Sequence, residues 1–198
     1  MAISKIFKYK TFEGGIHPDD AKLYTNKKEI INLDAPSVLV YPLSQHIGSP
    51  ATPCVNVGDE VRMGQKIAEA SGFVSANIHS SVSGKVVAIE PRKHPNGLMI
   101  NSIVIENDGQ DVPSEDIKGH DYKSLSSKEL VDIIKEAGIV GMGGATFPTH
   151  VKLSPPPDKK IDYVIINGAE CEPYLTSDHR AMLETTDEVI LGIMIQND

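Results

Sequence analysis

Between residues 38 and 106 no apolar run grows longer than a few residues, and glycines and prolines punctuate the stretch throughout. Gly48, Gly58, Gly64, Gly72, Gly84 and Gly97, with several prolines, separate apolar or β-rich stretches at 38–43, 55–57, 66–70, 85–90 and 100–106. Such residues are turn signals, and the β-rich runs between them read as short strands. Short strands at regular spacing predict a small β sandwich or barrel.

Two of these segments are more specific. Val55-Asn-Val-Gly-Asp-Glu-Val-Arg-Met-Gly-Gln-Lys-Ile67 turns at Gly58-Asp59 and again near Gly64, and Ser81-Val-Ser-Gly-Lys-Val-Val-Ala-Ile89 turns at Gly84 into an apolar run. The pair resembles the biotinyl/lipoyl carrier fold, a barrel-sandwich hybrid. In such carriers a lysine at a hairpin tip takes the swinging arm. No lysine lies between Lys66 and Lys85, and the expected tip at Ser75-Ala76-Asn77 offers no amine. The resemblance therefore implies the fold without the carrier chemistry. A generic β module without the hybrid topology is the alternative reading.

Polarity then rises over a stretch containing Gly109, Pro113 and Gly119, which predicts a linker at 111–126. Ser126-Ser-Lys-Glu129 fits a capping box, and Leu130, Ile133, Ile134 and Ala137 follow at helical spacing until Gly138. A glycine-rich loop comes next, with Pro148 suited to the first turn of another helix that Pro155-Pro-Pro157 ends. Tyr163-Val-Ile-Ile-Asn167 reads as a buried strand. Ser177-Asp178 and Thr185-Thr-Asp-Glu188 each read as a helix start. The last helix reaches Ile195-Gln-Asn-Asp198 with no stop signal, as expected of a chain that continues. The expected divisions are thus 1–36, an N-terminal segment with the Gly14-Gly-Ile-His-Pro18 motif; 37–110, the β domain; 111–126, the linker; and 127–198, an α/β domain.

The glycine loop has the composition of an anion site. Glycines let successive N–H groups approach a ligand, and a helix opening at Pro148 would aim its own free N–H groups the same way. Lys152, about one turn into that helix, would reach a phosphate or ring carbonyl, and Phe147 would stack on a planar ring. No Gly-Lys-Ser/Thr ending is present, so the loop is not a P-loop. The dinucleotide fingerprint follows a strand and ends in glycine or alanine, whereas this loop follows a predicted helix and has Thr146 there. A packed, purely structural turn is the alternative. Asn167, Glu170 and Glu172 follow the apolar run at the position where α/β sheets gather ligands. Alone, the two glutamates would read as a solvated loop; paired with the glycine loop they suggest a nucleotide or flavin site.

Three motifs, Gly14-Gly-Ile-His-Pro18, Gly141-Met-Gly-Gly-Ala-Thr-Phe-Pro-Thr-His-Val-Lys-Leu153 and Asn167-Gly-Ala-Glu-Cys-Glu-Pro-Tyr174, resemble the N-terminal part of the RnfC family, the NADH-side subunit of the Rnf electron-transport complex. The second half is also similar to the flavin-carrying subunit of respiratory complex I. The resemblance implies an α+β multidomain chain, a barrel-sandwich hybrid followed by the start of an α/β FMN/NADH-binding domain. It implies that Gly141, Gly143, Gly144, Lys152, Asn167 and Glu170 contact FMN, and that Phe147 and Glu172 lie on the nicotinamide side. The complex I pattern has an acid where Ala169 stands and a glycine where Thr146 stands, so one flavin contact is missing and the loop is bulkier.

The implied activity is hydride acceptance from NADH by FMN, with electrons passed on to [4Fe-4S] clusters whose cysteines lie beyond Asp198. No residue of this chain is expected to act as a proton-transfer catalyst. Other Rnf subunits, including membrane subunits, are the implied partners. The implied location is peripheral, at the cytoplasmic face of the cell membrane. Two other readings remain: a docking or scaffold module without catalysis, and an RnfC-like cobalamin reductase.

Composition narrows the field further. Net charge is −8 without a basic run, against nucleic-acid binding. Two distant cysteines, Cys54 and Cys171, give no disulfide framework or metal spacing, and this chain alone cannot ligate an iron–sulfur cluster. Seven scattered histidines show no metal-ligand spacing and are expected in surface or core roles. Cys171 is expected to be a buried or weakly reactive thiol. The N-terminus lacks a signal-peptide core and no apolar run approaches a membrane span.

Overall fold

The computed structural model describes residues 18–197. Residues 1–17, with all of the Gly14-Gly-Ile-His-Pro18 motif except Pro18, lie outside the described residues. Two compact units are present. One takes in Asn32–Val164 with the last residues from Met194; the other joins the described residues up to Ile31 to Ile165–Ile193.

The first unit carries seven strands: β1 Val38–Pro42, β2 Thr52–Pro53, β3 Glu60–Val61, β4 Lys66–Glu69, β5 Ile78–His79, β6 Gly84–Lys93 and β7 Met99–Asn107. They form two antiparallel sheets, ordered β1-β7-β6-β3 and β2-β4-β5. β6 and β7 make the longest hairpin, from Gly84↔Asn107 to Lys93↔Met99, with a register shift between Val86 and Ala88. Such an irregularity sharpens local twist. Val61, Ile67, Ile78, Val82, Val86, Ile103 and Ile105 make the shared core. Ile67, Ile103 and Ile105 are fully buried, each side chain contributing about 1.5–3 kcal/mol by removal from water.

The expected strands at 38–43, 66–70, 85–90 and 100–106 correspond to β1, β4, β6 and β7. The run at 55–57 is not a strand. Val55 enters the core, but the Asn56 N–H donates to Asp59 Oδ2 at 2.8 Å and the Asp59 N–H donates to Asn56 O at 3.1 Å. This local turn takes the groups a ladder would need. The expected tip is also corrected. Ser75, Ala76 and Asn77 are buried, not presented: Ser75 Oγ donates to Ser49 O at 2.9 Å, the Ala76 N–H donates to His46 Nε2 at 3.1 Å, and Asn77 Oδ1 accepts the Ala70 N–H at 2.9 Å. Phe73, nearby, is the exposed residue.

The stretch expected as a linker is partly pinned to the β unit. The Met63 N–H donates to Val112 O, the Ser114 N–H donates to Met63 O, and the Val112 N–H donates to Ser83 Oγ. Backbone groups that find such partners are not free to behave as a tether. Helix α1, Ser127–Glu136, begins at Ser126 with both arms of the capping box formed. It ends in a Schellman motif, the Gly138 N–H bonding Lys135 O at 3.0 Å and the Ile139 N–H bonding Ile134 O at 3.3 Å. The remaining helices are α2 Thr149–Lys152, α3 Ser177–Glu184 and α4 Thr186–Asn197. Among the described residues none is long and apolar enough to cross a membrane.

Tyr163-Val-Ile-Ile-Asn167 is not a buried strand. Tyr163 and Ile165 are 85% and 87% exposed, and no strand pairs with the segment among the described residues. An apolar run of this kind becomes a buried strand only when neighbouring strands satisfy its backbone on both edges.

Candidate functional site

The glycine loop belongs to the first unit and is stapled at its base. Val140 and Pro148 form an antiparallel bridge, the Gly141 N–H donates to Phe147 O at 2.9 Å, and the Thr149 N–H donates to Ile139 O at 3.0 Å. Its far side is tied to the β unit by the Ile47 N–H donating to Ala145 O at 3.2 Å. These bonds leave Gly143 and Gly144 in open space, with nothing within 4 Å of a side-chain position. Pro148 and His150 are buried beneath, and burial pushes the His150 imidazole below its ordinary range, with Lys135 adding to the effect.

Lys152 leaves α2 so that its ammonium returns over the loop. A side chain at Gly141 would meet Lys152 Nζ at 3.3 Å. A Cβ there would make a tight contact, and the lysine tip would have to shift by a few tenths of an ångström. Phe147 is half-buried at the end of the loop. Thr146 adopts φ 52°, a left-handed conformation that a β-branched residue rarely takes. Gly141, Gly143, Gly144, Phe147 and Lys152 thus share one short structure, whose donors and charge suit a phosphate and a planar ring.

Asn167, Glu170 and Glu172 belong to the second unit. Asn167 Oδ1 accepts the Ala169 N–H at 3.0 Å, closing a turn. Glu170 caps α3 from outside the helix: one carboxylate oxygen accepts Ser177 Oγ at 2.9 Å and the Asp178 N–H at 3.0 Å. The N-cap residue, Thr176, makes no side-chain cap bond of its own. The Asp178 N–H, then the Ser177 hydroxyl, hold the Glu170 carboxyl below the usual range. Cys171 is exposed and not buried, so of the two expected states it takes the weakly reactive one: its thiol donates to Glu172 Oε2 at 3.2 Å, and that carboxylate raises the thiol pKa.

Residues 20–30 hold this acidic loop. Lys22 Nζ donates to the carbonyls of Glu172 and Leu175, the Tyr174 N–H donates to Asp20 O, and Tyr24 stacks on Tyr174 with ring centroids 6.5 Å apart. Arg180 Nη1 donates to Asn26 O, and Glu184 accepts the Ile30 N–H. Lys22, Asn26, Gly168, Glu170, His179 and Met182 are among the residues lining a cavity of about 240 Å³. Asn26 Oδ1 is buried there without a partner. None of these N-terminal residues carried a sequence signal, because their partners lie about 150 positions away along the chain.

A two-sheet β unit without a carrier lysine, followed by a glycine loop under a lysine, defines a barrel-sandwich protein joined to a cofactor-type domain. Residues 10–110 match the RnfC barrel sandwich hybrid domain, and residues 134–198 match the Nuo51 FMN-binding domain. The chain belongs to the RnfC family. It is 56% identical over 187 residues to a subunit of the proton-translocating ferredoxin:NAD(+) oxidoreductase complex of Clostridium ljungdahlii, covering 94% of this chain and 41% of the relative. It is 47% identical over 189 residues to a subunit of the Na(+)-translocating ferredoxin:NAD(+) oxidoreductase complex of Acetobacterium woodii, covering 95% and 43%. Against a subunit of the ion-translocating oxidoreductase complex of Rhodobacter capsulatus the identity is 43% over 187 residues, covering 93% and 36%. The chain therefore spans less than half the length of each of these relatives.

Proposed function

We propose that this chain is the N-terminal part of the NADH-side subunit of a membrane-associated, Rnf-type ferredoxin:NAD oxidoreductase, and that it carries part of an FMN/NADH site. The observation that carries the reading is the Lys152 ammonium lying over Gly141 beside the open backbone of Gly143 and Gly144. A cation on a loop whose Gly143 and Gly144 stand in open space fits a phosphate monoester, and a Cβ at Gly141 would crowd the Lys152 ammonium. The residues present therefore fit FMN.

In this reading Gly141, Gly143, Gly144 and Lys152 hold FMN, and Asn167 and Glu170 contact the flavin and its ribityl chain. Phe147 and Glu172 orient the nicotinamide. Bound FMN would supply hydride acceptance and one-electron release, chemistry that no side chain here provides. The protein's part is position and charge: Lys152 neutralises phosphate, and the stapled loop keeps its geometry before the cofactor arrives. Electrons would leave through iron–sulfur clusters outside this sequence, and the other Rnf subunits would be its partners at the cytoplasmic face of the membrane.

The left-handed Thr146 and the absence of an acid at Ala169 favour a second reading, a docking module that has given up the cofactor. The visible spectrum of the full-length subunit separates the two. A flavin band that bleaches with anaerobic NADH, and a Lys152→Met variant retaining FMN about tenfold more weakly, are expected from loss of a charge-assisted hydrogen bond. Flavin-free protein indifferent to NADH would overturn the reading.

A further inference from the structure

We infer that Lys22 is a positioning residue for the loop that carries Glu172, so that residues 20–25 form part of the nicotinamide half-site. The inference rests on the proposed placement of Glu172 beside the nicotinamide. Lys22 Nζ donates to Glu172 O at 3.0 Å and to Leu175 O at 2.8 Å, bracketing Pro173-Tyr174 from both sides. Between those carbonyls the chain makes an unfavourable bend: Tyr174 has φ 67°. A non-glycine residue stays in that region only when its surroundings over-determine it, and such positions gather at ligand clamps.

Here the over-determination comes from one short segment. The Tyr174 N–H donates to Asp20 O at 2.7 Å, Tyr174 O accepts Thr25 Oγ1 at 3.0 Å, and its ring stacks on Tyr24 at an interplanar angle of 10°. Thr176 Oγ1 donates to Thr25 Oγ1 at 2.9 Å, extending the clamp to the residue before α3. Within this arrangement Lys22 alone supplies a positive charge. Its two bonds are to neutral carbonyls, and no carboxylate lies within ion-pairing distance of it among the described residues. The ammonium therefore fixes backbone and leaves its field on the Glu170–Glu172 loop. Glu172 reaches the nicotinamide with a fixed main chain instead of a mobile one, and the ordering cost is met before the nucleotide binds.

The test uses the full-length, cofactor-loaded subunit with a soluble one-electron acceptor. Lys22→Met keeps most of the aliphatic stem and removes the donors. It is expected to raise KM for NADH about tenfold with kcat within about twofold, the signature of lost ground-state binding, and to leave the flavin spectrum unchanged. Lys22→Arg, which can still donate to both carbonyls, should return KM to within about threefold of the parent. Cys171, next to Glu172 and exposed, reports on the loop without turnover: because loss of the Lys22 charge by itself raises the thiol pKa, its alkylation by iodoacetamide is followed by mass spectrometry over a pH series, and the rate at full ionisation of the thiol should quicken in Lys22→Met while that of Cys54 does not. Unchanged KM and unchanged Cys171 labelling in Lys22→Met, with Glu172→Gln raising KM, would overturn the role of Lys22 alone. Glu172→Gln without effect on KM would overturn the placement of Glu172 and this inference with it. Thermal unfolding of each variant identifies a general loss of fold, in which case the Arg variant and the labelling rate decide.

Discussion

Gly138 joins the β unit to the helix that leads into the glycine loop, and it tolerates no side chain. It is the left-handed residue of the Schellman motif ending α1, with φ 66°. A Cβ there would overlap the carbonyl oxygen of Asn77, a buried residue whose side-chain Nδ2 donates to Glu136 O at 3.2 Å. Alanine at this position meets two costs. The left-handed conformation costs a residue with a Cβ about 1–2 kcal/mol. Overlap with a buried carbonyl forces a backbone shift, worth about 1–3 kcal/mol by analogy with overpacked cores. Gly138→Ala should therefore destabilise the first unit by about 2–5 kcal/mol. Gly97→Ala is the internal control. Gly97 has φ 86° at the β6–β7 turn but nothing within 4 Å of a Cβ, so it carries the conformational cost alone, about 1–2 kcal/mol. Urea unfolding followed by circular dichroism gives both values, provided the slope against denaturant stays constant. Equal losses for the two variants, within about 0.5 kcal/mol, would refute the close approach of α1 to the Asn77 turn.

Two further outcomes follow from particular residues. Thr146→Gly should raise the thermal midpoint slightly, since relief of about 1–2 kcal/mol of left-handed strain exceeds the roughly 0.5–1 kcal/mol entropic cost of glycine; a fall in the midpoint would show that Thr146 is held by contacts worth more than its strain. His79 lies beside Lys66 and Glu136, which with His120, Asp116 and Asp132 line one crevice, and burial, then Lys66, depress its pKa below the ordinary 6.5 while Glu136 opposes. The unfolded chain then binds the proton more readily, so the stabilisation is present above pH 6.5 and is lost as pH falls through the folded value. Unfolding midpoints between pH 7.5 and about 5 should fall less steeply in His79→Gln than in the parent, and identical slopes would refute the argument.

The local devices were legible in the residues because they are settled within a few positions. The capping box of Ser126 and Glu129 and the stop at Gly138 need only near neighbours. The two runs that misled, 55–57 and 163–167, have the apolar content of strands, and what a strand also needs is a partner edge. A turn between Asn56 and Asp59 removed it in one case, and in the other no strand lies alongside among the described residues. Burial of Ser75, Ala76 and Asn77 likewise depends on His46 and Ser49, whose approach no pattern announces.

The sequence by itself determined the capped helix α1, the four longer strands, the absence of a carrier lysine and the two motifs that suggest a cofactor, since these follow from residue chemistry and short-range periodicity. Tertiary structure alone decided that Lys152 turns back over Gly141, that Glu170 turns its carboxylate to α3, and that Lys22 grips the loop of Glu172. The last of these contacts joins residues 150 positions apart. Its formation depends on loop closure and packing of the whole chain, and no local propensity encodes it.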